Sequence, residues 1–75
     1  MVIDWHRYIT VDPSMHDGRP TVRGMRLSVE DVLDYLASGM SIDDVRRDFP
    51  KLTQEDVRAC LAYASEPVRA RRATA

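Results

Sequence analysis

Arg19, Arg23 and Arg26 share one eight-residue window of the stretch Gly18-Arg19-Pro20-Thr21-Val22-Arg23-Gly24-Met25-Arg26-Leu27-Ser28. Glycine opens backbone angles closed to other residues, and proline fixes φ and removes a donor. The cationic side chains therefore hang from a backbone with few conformations, which suits a surface that grips phosphates or carboxylates. Arginine's planar fork of donors matches both anions. The same groups can instead cap helix ends or pair with acids of their own chain. Arg46, Arg47 and Lys51 form a second cationic cluster, either a phosphate clamp or a solvated face. Arg69, Arg71 and Arg72 form a third, in a C-terminal stretch without acids.

Catalytic chemistry has little to work with. His6 and His16 are lone histidines, and His16-Asp17 has no second ligand cluster at metal spacing. No glycine-rich phosphate loop and no nucleophile-plus-base pattern is visible. Cys60, the single cysteine, sits between Ala59 and Leu61 and reads as a small buried hydrophobe in a reducing compartment. The expectation is a non-enzyme with no metal and no cofactor. A small metal-dependent enzyme using His6, His16 and Asp17 is the third and weakest reading.

Short elements must position these groups. Trp5 to Val11 has the β-branched and aromatic content of a strand, closed by Asp12-Pro13. Thr21-Val22-Arg23 is a second extended piece, and Asp17-Gly18 between them is a turn signal. The two pieces form either a hairpin or an intermolecular ribbon, and a lone two-stranded unit must pack on something. Three helices follow, capped by Ser28, Ser41 and Thr53. The first carries Val29, Val32, Leu33 and Leu36 as its apolar stripe and stops at Gly39. The second turns Ile42, Val45 and Phe49 inward and ends at Pro50. The third carries Val57, Cys60, Leu61 and Ala64 and stops before Pro67. Acids in all three first turns favour the positive end of each helix dipole.

Seventy-five residues make one domain with a marginal core, and a second chain is the expected supplement. The net charge of −1 hides an asymmetry. Residues 1–27 carry four arginines against three aspartates (+1), residues 28–66 four bases against nine acids (−5), and residues 67–75 three arginines (+3). Opposed signs at the ends and in the middle suggest separate interaction surfaces or self-association. No apolar run approaches the ~18 residues of a membrane span. Met1-Val2-Ile3-Asp4-Trp5-His6 lacks a signal-peptide layout, so the expected location is cytoplasmic.

The expected fold is mostly α: a β arm (1–27), a tri-helical helix-turn-helix body (28–66) and a basic tail (67–75) too polar to fold alone. The brief Pro50-Lys51-Leu52 connection favours a large crossing angle between the second and third helices. By position the third helix would read bases, with Gln54 suited to adenine and Arg58 to guanine. Glu55 and Asp56 at the same end repel phosphates and argue against deep insertion.

Ile9-Thr10-Val11-Asp12-Pro13, Gly18-Arg19-Pro20-Thr21-Val22-Arg23-Gly24-Met25-Arg26-Leu27, Gly39-Met40-Ser41 and Phe49-Pro50-Lys51-Leu52-Thr53-Gln54-Glu55-Asp56-Val57-Arg58 resemble the domain-of-unknown-function family numbered 433. The likeness covers residues 8 to about 66, and its glycine-basic-proline and arginine-glycine-x-arginine pieces are quite specific. It implies a homeodomain-like fold and the role of a homodimeric antitoxin that binds operator DNA and a PIN-like ribonuclease toxin. Met15 and Met25 depart from the smaller residue or cysteine, and the threonine, that relatives often carry. The tail lies outside the family core.

From the residues, Arg19, Arg23, Arg26, Arg46, Arg47, Lys51, Gln54 and Arg58 are the candidate DNA contacts. Arg69, Arg71 and Arg72 are the candidate toxin contacts, because an arginine entering a nuclease's carboxylate cluster can pair with it bidentately and displace Mg²⁺. Extended, the nine-residue tail reaches about 30 Å. The alternative reading is a protein-interaction module without DNA binding, favoured by the acidic middle and near-neutral charge.

Overall fold

A computed structural model describes residues 3–14 and 16–72, without the side chains of His16 and Arg72. Two strands, β1 (Ile9–Thr10) and β2 (Thr21–Val22), precede three helices, α1 (Val29–Ala37), α2 (Ile42–Asp48) and α3 (Gln54–Arg72). The strands pair antiparallel within the chain, Ile9 opposite Val22 and Thr10 opposite Thr21. Of the two pairings open to the arm, the chain adopts the intramolecular hairpin.

β2 is bonded on both sides. Arg23 N donates to Tyr8 O (2.8 Å), while Val22 N donates to Leu27 O (2.9 Å) and Val29 N to Pro20 O (3.0 Å). Thr21 and Val22 are consequently buried, and the chain leaves the sheet straight into α1.

Each expected cap is present. Ser28 Oγ accepts from Asp31 N at 3.0 Å. Ser41 and Asp44 bond reciprocally, side chain to backbone, at 3.0 and 3.1 Å, and Thr53 and Asp56 do the same at 2.9 and 3.0 Å. These bonds satisfy first-turn N–H groups that a helix leaves unpaired. α1 ends in a Schellman motif, with Met40 N donating to Tyr35 O and Gly39 N to Leu36 O. That motif needs a left-handed residue, and Gly39 supplies it at φ 105°.

The core gathers Ile9 and Val22 from the hairpin, Leu27, Val29 and Val32, Val45 from α2, and Leu52, Val57, Ala59 and Cys60 around α3. α3 packs against α1, α2, β1 and the N-terminal turn at Trp5–Arg7. Burial, with a smaller push from the nearby Asp56 charge, raises the Cys60 thiol to about 12. The thiolate is the reactive form, so the native thiol is inert near neutral pH. Iodoacetamide at pH 8 is expected to label Cys60 only as fast as the domain opens, and at once in denaturant; mass spectrometry with and without urea checks this.

Three sequence expectations are corrected. Trp5–Arg7 is a 3-10 turn, not the start of a strand that extends to Val11. Asp4 accepts from His6 N and caps that turn, and the Trp5 ring packs edge-on against Tyr63 with centroids 4.8 Å apart. This tertiary contact overrides the β propensity of the segment. Leu61 is 45% exposed rather than part of the core stripe. The buried face of α3 runs through Val57, Ala59 and Cys60, and at 100° per residue Leu61 lies at the edge of that face, beside Val57 but turned about 100° from Cys60.

Third, α3 does not stop before Pro67 but continues to Arg72, so residues 67–72 of the expected tail are helical. Pro67 removes the donor that the Tyr63 carbonyl would receive. Beside the break, Ser65 Oγ donates to Ala62 O (2.8 Å) and accepts from Arg69 on the following turn (3.2 Å). Alanine and arginine, strong helix formers, fill much of the remainder. Residues 73–75 of the expected tail lie outside the described residues.

Candidate nucleic-acid interface

Two tight turns carry Arg23 and Lys51, with Arg26 and Arg46 beside them. The first is Val22-Arg23-Gly24-Met25, closed by Met25 N donating to Val22 O at 3.0 Å. Gly24 occupies its third position at φ 77°, a left-handed angle that such a turn demands there. No atom lies within 4 Å of where a Gly24 Cβ would stand, so the glycine serves backbone conformation rather than close packing. Because Val22 N also bonds Leu27 O, Arg23 and Arg26 sit near the two ends of one short loop anchored to the sheet. Both are exposed. Arg23 donates to the His6 carbonyl at 3.1 Å, and Arg26 makes no ion pair among the described residues.

The second turn is Phe49-Pro50-Lys51-Leu52, between α2 and α3, closed by Leu52 N donating to Phe49 O at 2.9 Å. Proline suits its second position because φ is already set. Leu52 is fully buried and pins the turn to the core, while Lys51 is exposed. Arg46 reaches back with Nε to the Leu52 carbonyl at 3.1 Å and braces this turn. Arg47 lies 3.4 Å from Asp44. Hydrogen bonds from Ser41, first from its backbone and then its side chain, hold the Asp44 carboxyl below the usual carboxylate range, with a smaller contribution from Arg47. With a lowered folded value, the capping contribution is complete above the ordinary 3.8 and fades as pH falls through the lowered value.

The two turns meet. Met25, at the close of the arginine loop, lines a shallow groove of about 330 Å³ together with Asp48, Phe49, Pro50 and Lys51. Residues far apart in sequence, around 23–26 and 46–51, therefore flank one surface region. Tyr35 stacks on Phe49 at 5.8 Å between ring centroids and supports the groove from α1.

The other candidates stand apart from this pair of turns or beside it. Arg19 lies 4.0 Å from Glu30, both side chains more than half exposed, a weak pair that a phosphate can displace. Gln54 and Arg58 are exposed on the first turns of α3, next to the Pro50-Lys51 turn in sequence. Glu55 is exposed beside them, whereas Asp56 is half-buried and engaged in the Thr53 cap. Arg69 and Arg71 are exposed on the last turns of α3, and Arg69 bonds Ser65 Oγ. Arg72 is helical.

Sequence reasoning missed the contact network behind the arginine loop. Trp5 Nε1 donates to Glu66 Oε1 at 2.8 Å, across 61 residues. The His6 ring stacks on Trp5 at 3.7 Å and its Nδ1 lies 2.9 Å from Asp4 Oδ1. The carbonyl of that same His6 receives Arg23. The N-terminal turn thus ties the arginine loop to the far half of α3. Trp5 as a large aromatic beside an N-terminal Asp was the available signal, but its partner on α3 was not legible.

Among the described residues no group of three or more His, Cys, Asp or Glu is placed to hold a metal ion. Among them also, no helix is long and apolar enough to cross a membrane.

Among known proteins, this chain is 37% identical over 65 residues to "Uncharacterized protein y4eO" of Sinorhizobium fredii (strain NBRC 101917 / NGR234). The alignment takes in 85% of this chain but only 29% of that relative's length. No solved structure matches it. The family described as "Protein of unknown function (DUF433)" matches residues 9–64, which span the hairpin, the arginine loop, α1, α2 and the first half of α3: the chain belongs to the DUF433 family.

Proposed function

We propose that this protein is a DNA-binding antitoxin of the helix-turn-helix kind: a homodimer that grips its own promoter and neutralises a PIN-like ribonuclease. The observation that carries the DNA reading is the groove shared by Met25 and Lys51, which sets the arginine loop beside the α2–α3 turn. Cations held on short, core-anchored turns need no further ordering of their backbone when they meet phosphates. Phosphate contacts of this kind supply affinity and register, not base recognition. α2, its Pro50-Lys51 turn and α3 are the proposed homeodomain-like unit, with Gln54 and Arg58 nearest the bases. Glu55 limits how deeply the α3 N-terminus enters a groove. Binding is therefore dominated by the backbone and strongly salt-dependent.

The antitoxin half of the proposal rests on the resemblance described above and on the cationic end of α3, where Arg69 and Arg71 are exposed. The test pairs a duplex spanning the protein's own promoter with the ribonuclease encoded beside it. Submicromolar duplex binding that weakens with salt, together with inhibition of the ribonuclease by the purified protein, is the expected result. Binding to neither, at low salt, overturns the proposal. Ribonuclease inhibition without DNA binding leaves the interaction-module reading, which the −5 charge of residues 28–66 favours.

A further inference from the structure

α3 changes character at its midpoint. Up to Ala62 it contributes buried side chains, whereas Glu66 to Arg71 are all exposed, and Val68 is 67% exposed. Those last turns extend about 10 Å past the packed part of the helix at 1.5 Å per residue. A helix end holding Pro67 has little intrinsic stability in water, because helices owe their stability mainly to a packed apolar face. Leu61, Ala64 and Val68 recur at i, i+3 and i+7, giving a narrow apolar stripe with exposed Leu61 and Val68 at its ends and half-buried Ala64 between them.

Beside this stripe lies a groove of about 450 Å³ between α1 and α3, whose apolar walls include Val29, Leu33, Tyr63 and Pro67. Glu30 and Asp34 of α1 also line it and make its rim acidic. The groove asks for an apolar anchor flanked by cations. The chain's own sequence supplies one in Val68-Arg69-Ala70-Arg71-Arg72, where an exposed valine is followed by arginines at the next, third and fourth positions. The acidic body (−5) and the basic end (+3) are complementary on the scale of the whole chain.

From this we infer that the occupant is a second copy of the chain: the α3 end of each protomer lies in the α1–α3 groove of the other. Groove and anchor sit on the same end of the same helix, so one two-fold axis satisfies both contacts at once and the assembly closes at two. This names the surface of the homodimer invoked for the DNA-binding reading and rests on that reading only for the existence of a dimer. It also places the candidate toxin-binding arginines partly inside the dimer contact, so toxin and partner protomer compete for them.

Sedimentation equilibrium of the full chain tests the proposal. Val68→Asp is expected to weaken self-association by at least about tenfold, since a central apolar anchor is lost to a charge. Its circular dichroism should keep the signal of the core helices and lose only that of the last turns of α3, because the residue lies outside the core. Asp34→Arg should weaken the dimer, and Asp34→Arg combined with Arg69→Glu should restore it. A wild-type dimer indifferent to all of these overturns the inference while leaving a homodimer through another face. A wild-type chain that stays monomeric overturns both the inference and the dimeric reading.

Discussion

Replacing Leu52 with alanine should cost about 2–5 kcal/mol of folding stability, the range for emptying a buried leucine site. Leu52 is fully buried where α2 and α3 join. Its backbone closes the Pro50-Lys51 turn and receives the Arg46 Nε, and both bonds survive the substitution. The loss is therefore mainly the cavity and the missing contacts. Small domains have stabilities near the lower end of about 5–15 kcal/mol. At roughly 4–8 °C per kcal/mol for a domain of this size, a thermal melt should move down by at least about 8 °C. Leu52→Met, which nearly conserves volume, should cost less than about 1.5 kcal/mol. If Leu52→Ala melts within about 2 °C of wild type, the α2–α3 turn is not held by the core as described.

The second large effect concerns binding. Replacing Arg23, Arg26 and Lys51 together with alanine should lower duplex affinity by about a hundredfold or more at low salt. Each lost phosphate contact flattens the slope of log K against log salt by about 0.9, so three contacts per protomer, six in the dimer, remove about 5.4. All three residues are exposed and none belongs to the core, so the melt should hardly move. The Arg23 bond to the His6 carbonyl is lost too, but at an exposed site it contributes little. Changing the three to lysine, lysine and arginine keeps the charges and should keep most of the slope. Full binding by the triple alanine protein would remove both turns from the interface.

Much of the architecture is written locally and so was readable in advance. Ser28, Ser41 and Thr53 act as caps because a hydroxyl one residue ahead of an amphipathic segment finds N–H groups within its own next turn. Gly39 and Pro50 end their helices for equally local reasons, φ in one case and the proline ring in the other. The hairpin's pairing was legible as a pair of short extended pieces, but not its choice of partner. Leu27 and Val29 bond β2's other side, so β1 takes the remaining edge, and the strand that fills it comes from the same chain.

In two of the three departures from expectation a distant residue decides. Trp5 is a fine strand residue until Tyr63 and Glu66 offer its ring and its N–H a site. Leu61 fits the apolar count of α3, but the phase of that helix is set by packing on two sides, against α1 and α2 and against the Trp5–Arg7 turn. Pro67 carries a strong local stop signal, yet the helix runs through it to Arg72. At the candidate site the sequence named the cations but not their grouping. The meeting of Met25 with Phe49, Pro50 and Lys51 depends on how the hairpin docks on the helical body, which no local pattern encodes.

That meeting is also where the account is most exposed to contradiction. Titrating isotopically labelled protein with a duplex from its own promoter, and following backbone amide shifts, maps the docking surface directly. The account predicts the largest changes at Arg23 to Arg26, at Lys51 and at the first turn of α3, moving together along one binding curve. Changes confined to α1 and the end of α3, with both turns silent, would contradict it.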